Sequence, residues 1–157
     1  MNPPDNIPIK IFCMHPGCLN KPQVSCSTPT CGKEKYQKFV SVVVVGGGQA
    51  GLSASYYLGK SDIDHVVLER SERFHAWKND RWDSFCLVTP NWQCRLPDWE
   101  YKGKEPHGFM PKDEIIDYLE GFAESFDPPL HEGVQVIRVD QRPDGKVEVE
   151  SPDCIWI

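Results

Sequence analysis

The sequence predicts an α/β fold: a β-α-β unit extended by a further helix and two more strands. Three observations carry this. Residues 42–70, "VVVVGGGQAGLSASYYLGKSDIDHVVLER", run from an apolar stretch through a burst of glycines and a helix-like stretch to a second apolar stretch that ends in an acid. Between Lys112 and Phe126 apolar residues recur at helical spacing. Two further short strand patterns follow, joined by "RPDG", a turn with proline and glycine in suitable places.

Taken in order, residues 40–45 read as a buried strand, because the apolar run Val42–Val45, with Phe39 and Val40 just before it, suits a strand covered on both faces. A helix is expected from about Gln49 to Leu58, with Gly59 just past its last turn, where a glycine commonly ends a helix. A second strand covers 65–69. Residues 71–108 form an irregular stretch that holds Trp77, Trp82, Trp92 and Trp99. Met110 and Pro111 precede the second helix, expected over Lys112–Phe126. Its residues Ile115, Ile116, Tyr118, Leu119, Phe122 and Ala123 make one apolar face. "PPL" at 128–130 stops that helix, and strands are expected over about 134–139 and 146–150.

Length and composition set bounds. A chain of 157 residues fits one domain of ordinary size. Its 39% hydrophobic and 25% charged residues are those of a soluble globular protein. A net charge of −6 argues against nucleic acid or an anionic membrane as partner, since both call for a basic patch. No transmembrane segment is expected, because the Val42–Val45 run falls far short of the roughly 20 apolar residues a bilayer requires. The opening "MNPPDNIPIKIF" lacks the basic start and apolar stretch of a secretory signal, so a cytoplasmic setting is expected.

Composition changes near residue 38. Residues 1–38 are rich in proline and carry Cys13, Cys18, Cys26 and Cys31, with His15 among them. The boundary drawn there separates a Cys/Pro-rich leader, 1–38, from an incomplete α/β domain, 39–157. Four thiolates can hold zinc tetrahedrally, and the C-x4-C pairs lie at the upper edge of usual ligand spacing. The seven-residue gap between the pairs is short for a zinc ribbon, so a disordered leader and disulfides stay open beside a small zinc module. Cys86, Cys94 and Cys154 show no pairing and are expected as buried small hydrophobes.

Gly46, Gly48 and Gly51 form G-x-G-x-x-G directly after the first strand. Each position has a physical reason. The first glycine permits a tight turn, the second lets main-chain N–H groups approach a pyrophosphate, and the third lets helix and strand pack closely. The phosphates then meet the positive end of the helix dipole and its unpaired N–H donors. Glu69 lies 18 residues after Gly51, at the end of the second strand. A carboxylate there can accept hydrogen bonds from a ribose 2′-hydroxyl and repels a 2′-phosphate. The plain alternatives are a glycine-rich turn and a surface acid; the whole strand-loop-helix-strand-acid context favours a dinucleotide. Tyr56 and Lys60 also read Y-x-x-x-K, the pair used by short-chain dehydrogenases. They sit on the helix after the glycine loop, whereas that chemistry uses a later helix, so Tyr56 is expected to pack and Lys60 to be a solvated helix-end charge. His65, at the head of the second strand, is expected to pack or to sit at an edge. Neither a Ser-His-Asp constellation nor H-E-x-x-H is present.

"VVVVGGGQAGLSASYYL", "HVVLER", Trp77 with "RWDSFCLVTPNW", "LPDWEY" and "GFMPKDEIIDYLEGFAESF" together resemble the N-terminal, FAD-binding part of flavin-dependent monooxygenases and related FAD-NAD(P)-dependent oxidoreductases of the YUCCA and flavin-containing monooxygenase type. The resemblance covers about residues 39–150. It implies a Rossmann-like FAD-binding unit within a larger fold, in which a second glycine motif binds NADPH and reduced flavin and oxygen oxygenate a small organic substrate. Carried over by position, Gly46, Gly48, Gln49, Ala50 and Gly51 would cradle the FAD pyrophosphate. Glu69 would hold the adenosine ribose with Arg70 beside it, and the backbone of Val136 would meet the adenine. Trp77, Leu87 and Thr89 would lie along the flavin. Trp77 and Val136 are also readable as ordinary core residues. Where flavin-containing monooxygenases often carry asparagine this chain has Val88, and no catalytic residue is assigned. Neither an A-T-G segment nor a second glycine motif occurs here, so the chain reads as the opening part of such an enzyme, expected to lack the NADPH domain and to turn over weakly or not at all alone. The alternatives are a non-catalytic nucleotide-binding remnant and a zinc-binding interaction module.

Overall fold

The structure, a computed structural model, describes residues 35–157. Its central element is a parallel sheet of three strands: β2 (Val42–Val45), β3 (His65–Leu68) and β6 (Leu130–His131), with β3 in the middle. The register sets Val42 against His65 and Val45 against Leu68. Between β2 and β3 runs helix α1 (Gln49–Lys60), the crossover that a parallel pair requires. A second, four-stranded sheet has the order β1-β9-β8-β7 and is built from β1 (Tyr36–Lys38), β7 (Arg138–Gln141), β8 (Val147–Glu150) and β9 (Cys154–Trp156). The short helix α2 (His75–Lys78), a small hairpin of β4 (Arg95–Leu96) and β5 (Trp99–Glu100), and helix α3 (Lys112–Glu124) complete the described residues.

Alternation along β3 organises the layers. Val67 faces the helices and joins a cluster with Leu52 of α1 and Ile115, Leu119, Phe122 and Ala123 of α3. Val66 and Leu68 face the other way and pack with Val149, Cys154 and Trp156 of the second sheet. A strand covered on both sides calls for apolar residues on both faces, which Val66, Val67 and Leu68 supply, while the polar His65 stands at the half-buried start of the strand. Helix α3 buries the face that its periodicity marked, and each of its large buried side chains contributes about 1.5–3 kcal/mol relative to exposure. Ile116 and Tyr118 lie at the margin, half-buried.

The structure differs from the sequence expectations at several places. The first strand begins at Val42 rather than residue 40 and is not fully buried: Val45 is 56% exposed because β2 is the edge strand of its sheet among the described residues. Gly59 lies inside α1, not past its end. The helix continues to Lys60, and the chain reverses at Asp62 with φ +56°, a left-handed conformation that aspartate tolerates better than most residues. The strand expected over 134–139 forms over Arg138–Gln141. Its earlier half is held by single hydrogen bonds, from Val134 N–H to the Glu69 carbonyl (2.8 Å) and from Ile137 N–H to the Glu150 carbonyl (2.8 Å). The "RPDG" turn forms as expected, with Gly145 at φ +85°. Strand β1 falls before the boundary drawn at residue 38 and pairs in parallel with β9, Tyr36 against Cys154. Cys86 is exposed rather than buried, Cys94 is half-buried and Cys154 buried. Among the described residues no helix is long and apolar enough to cross a membrane.

Candidate functional site

The glycine loop leaves β2 and enters α1. Gly46 has φ +106°, a conformation rarely open to residues with a Cβ. Its N–H donates to the Leu68 carbonyl (2.8 Å), so the turn begins while the chain is still held to β3. A Cβ on Gly51 would lie 1.9 Å from the Gly46 carbonyl oxygen, which is the close helix-to-strand packing expected of the third glycine. Gly48 is different: a Cβ there would meet nothing within 4 Å. The protein's own packing therefore does not require glycine at 48, although a ligand approaching the loop would.

Gly48 is also the N-cap of α1, with φ −83° and ψ −175° and no side chain capping the helix. The first turn carries no acidic residue, and the first intrahelical bond runs from Leu52 N–H to the Gly48 carbonyl (3.0 Å). The N–H groups of Gln49, Ala50 and Gly51 thus form the uncapped, positive end of the helix, with Gln49 and Ala50 exposed to solvent. This donor set suits an anion, and the open space at Gly48 lets one reach it.

Beside the loop lies a cavity of about 220 Å³ between the ends of β2 and β3 and the 134–136 segment. Its walls bring together four of the residues expected to bind the cofactor: Gly46, Glu69, Arg70 and Val136. Val45, Leu68, Val134 and Gln135 complete it. Gly48, Gln49, Ala50 and Gly51 belong to the adjoining helix start. The Glu69 carboxylate accepts hydrogen bonds from two backbone amides, Gly47 N–H at 2.6 Å and Ser71 N–H at 3.0 Å. Gly47 and Ser71 were not singled out by sequence reasoning; the one available signal was that the motif reads "GGG", a glycine more than G-x-G requires. Gly47 is buried, and a Cβ on it would come within 2.9 Å of the Glu69 Cβ.

The residues expected along a flavin stand apart from this cavity. Trp77 lies on α2, half-buried, with its ring 6.0 Å from that of Phe85 and the Arg81 guanidinium 5.1 Å from its centroid. The turn into α2 is made by Phe74, buried and held at φ +61°. Leu87 is half-buried, and its N–H donates to the Met110 carbonyl (2.9 Å). Thr89 is exposed.

Tyr56 and Lys60 form no dehydrogenase pair. Tyr56 stacks edge-on with Phe126 and packs near Phe122, as a packing residue should. Its hydroxyl donates to Asp98 (2.5 Å), which Lys60 also meets at 2.8 Å. The bond to Asp98 raises the Tyr56 hydroxyl above its ordinary pKa, the reverse of what a general acid-base near neutrality needs. His65 is held at both nitrogens: Nδ1 donates to the Ile63 carbonyl at 2.8 Å, and Nε2 lies 2.8 Å from the Ser55 hydroxyl. Cys13, Cys18, Cys26 and Cys31, the candidate zinc ligands, lie outside the described residues, as does His15. Among the described residues no group of three or more metal-capable side chains converges.

No family model matches the chain. A CzcO-like oxidoreductase of Geobacillus kaustophilus is 42% identical over 102 residues, which cover 64% of this chain and 29% of that protein. The indole-3-pyruvate monooxygenase YUCCA6 of Arabidopsis thaliana is 32% identical over 102 residues, 63% of this chain and 24% of that protein. Among solved structures, a flavin-containing monooxygenase from Stenotrophomonas maltophilia superimposes with a TM-score of 0.65 at 31% identity, over 75% of this chain and 36% of its own. An oxidized steroid monooxygenase bound to NADP shares the fold, with a TM-score of 0.65 at 20% identity over 76% of this chain and 25% of its own. The chain is thus similar to CzcO-like oxidoreductases and YUCCA monooxygenases, and its fold is the Rossmann-like one of flavin monooxygenases. The chain spans less than a third of the length of these two curated relatives.

Proposed function

We propose that this chain is the FAD-binding portion of an NAD(P)H-dependent flavin monooxygenase or oxidoreductase that acts on a small organic substrate. The observation that carries the reading is Gly48: a glycine that the packing does not demand, at an uncapped helix N-terminus, beside a cavity walled by Glu69. In this reading the N–H groups of Gln49, Ala50 and Gly51 receive the diphosphate. Glu69 accepts from the ribose hydroxyls, and its charge disfavours a 2′-phosphate, which favours FAD over NADP at this first site. Val136 offers its backbone to the adenine edge, and Arg70 borders the same cavity. Trp77, Leu87 and Thr89 serve the flavin end. When bound, FAD supplies hydride acceptance from the nicotinamide cofactor and reaction with oxygen; the residues named here bind and orient it.

One observation favours a narrower reading, a nucleotide-binding module without flavin chemistry. Gly46, Glu69, Arg70 and Val136 line one cavity, while Trp77, Leu87 and Thr89 line no part of it. Titration with FAD and with ADP separates the two. If the chain holds flavin, FAD binds more tightly than ADP and the complex is yellow, absorbing near ~450 nm. Equal affinities for FAD and ADP support the narrower reading, and no binding of either rejects both.

A further inference from the structure

Glu69 does more in this structure than wait for a sugar. Its Oε2 accepts from Gly47 N–H at 2.6 Å, inside the glycine loop, and its Oε1 accepts from Ser71 N–H at 3.0 Å, on the segment leaving β3. Its main chain is fixed as well: its N–H donates to the His131 carbonyl (2.9 Å) and its carbonyl accepts from Val134 N–H (2.8 Å). One residue therefore ties together the loop after β2, the end of β3 and the 131–134 segment. Among the described residues no lysine, arginine or histidine forms an ion pair with it, so the two amides are what compensates its partly buried charge.

Gly47 makes this contact possible. A Cβ on it would come within 2.9 Å of the Glu69 Cβ and 3.1 Å of Leu130 Cδ1, so the stem of Glu69 lies directly over the glycine. The central glycine of "GGG" is thus required by the glutamate.

We propose that Glu69 is a positioning residue for the glycine loop: in the nucleotide-free protein its carboxylate holds Gly47, so that the N–H groups of residues 49–51 are presented before any ligand arrives. A carboxylate has about four lone-pair directions and two are used here, so it can keep both amides while accepting from a ribose. The ribose contact rests on the function proposed above; the holding of the loop does not.

The test is amide hydrogen exchange on the ligand-free full chain, compared with Glu69→Gln. A carboxamide turns an N–H donor toward one of the two amides and leaves it without an acceptor. At least one of Gly47 and Ser71 is expected to exchange about 10-fold faster or more, with the amides of Leu119 and Phe122 in α3 unchanged as the measure of folding. Unchanged exchange at both amides overturns the proposal, even if nucleotide affinity falls, because Glu69 would then act on the sugar alone. Gly47→Ala gives an independent reading should Glu69→Gln misfold. It keeps the carboxylate but displaces it, and it is expected to accelerate Ser71 exchange and to weaken ADP binding about 10-fold; retention of wild-type exchange at Ser71 contradicts the proposal. If the exchange results appear but neither ADP nor FAD binds the wild-type chain, the functional reading fails and the holding role stands.

Discussion

Gly48→Val separates the needs of a ligand from those of the fold. The new Cβ meets nothing within 4 Å, and the backbone at φ −83° and ψ −175° is open to any residue. Valine is a poorer N-cap than glycine by about 1 kcal/mol. Against this, restricting the unfolded chain returns about 0.4–1 kcal/mol. Stability should therefore change by less than about 1 kcal/mol, a shift in Tm of no more than about 4 °C for a domain of this size. Binding should respond differently. The valine side chain stands where a diphosphate would meet the loop, and losing one N–H contact to a charged group costs about 1.5–3 kcal/mol. That corresponds to a roughly 10- to 100-fold weaker Kd for ADP or FAD. Calorimetric titration paired with thermal melts reads both quantities. Unaltered affinity, or a stability loss of several kcal/mol with binding to match, would refute the assignment of Gly48 to the ligand.

Other outcomes follow from the same geometry. Gly51→Ala puts a Cβ 1.9 Å from the Gly46 carbonyl oxygen, an overlap between main-chain regions that no rotamer relieves; a loss of about 3 kcal/mol or more is expected in urea unfolding. Phe122→Ala empties a fully buried site beside Leu52 and Val67 and should cost about 3–5 kcal/mol in the same assay, with the loop amides keeping their exchange pattern. Tyr118 is pushed up to about 12, chiefly by burial, while a free tyrosine ionises near 10. Between those values the unfolded chain gives up the proton first, so stability should be intact below about pH 10 and decline as pH rises toward 12. Tyr118→Phe should lower stability near neutral pH, because the Trp99 carbonyl loses the 2.8 Å hydrogen bond that the Tyr118 hydroxyl donates, but should flatten that alkaline decline.

What could be read from the sequence follows from how local each signal is. Strand β3, the glycine loop, α1 and α3 were legible because alternation, glycine spacing and helical periodicity are contained within each segment. Gly46, Glu69, Arg70 and Val136 were named together through the resemblance, and they line one cavity. Other features depend on distant partners. Strands β1 and β9 have three residues each and show no period; their pairing, Tyr36 against Cys154, joins the two ends of the described chain. The exposed side of β2 could not be foreseen from "VVVV", since edge and central parallel strands share that composition until their neighbours are known. Gly59 misled because a helix stop and a tolerated interior glycine look alike locally, while the reversal itself fell to Asp62. The contact between Glu69 and Gly47 spans the whole crossover, so only the central glycine of "GGG", one more than G-x-G calls for, hinted at it.

The central claim is that the glycine loop and Glu69 together receive the adenosine diphosphate half of a dinucleotide. Its most direct test is a titration of the ¹⁵N-labelled full chain with ADP, followed by amide chemical shifts. The account predicts saturable shifts concentrated at residues 46–51, 69–71 and 134–136. Shifts gathered instead in the larger groove lined by Phe39, Val43 and Val147, or no shifts at millimolar ADP, would contradict it.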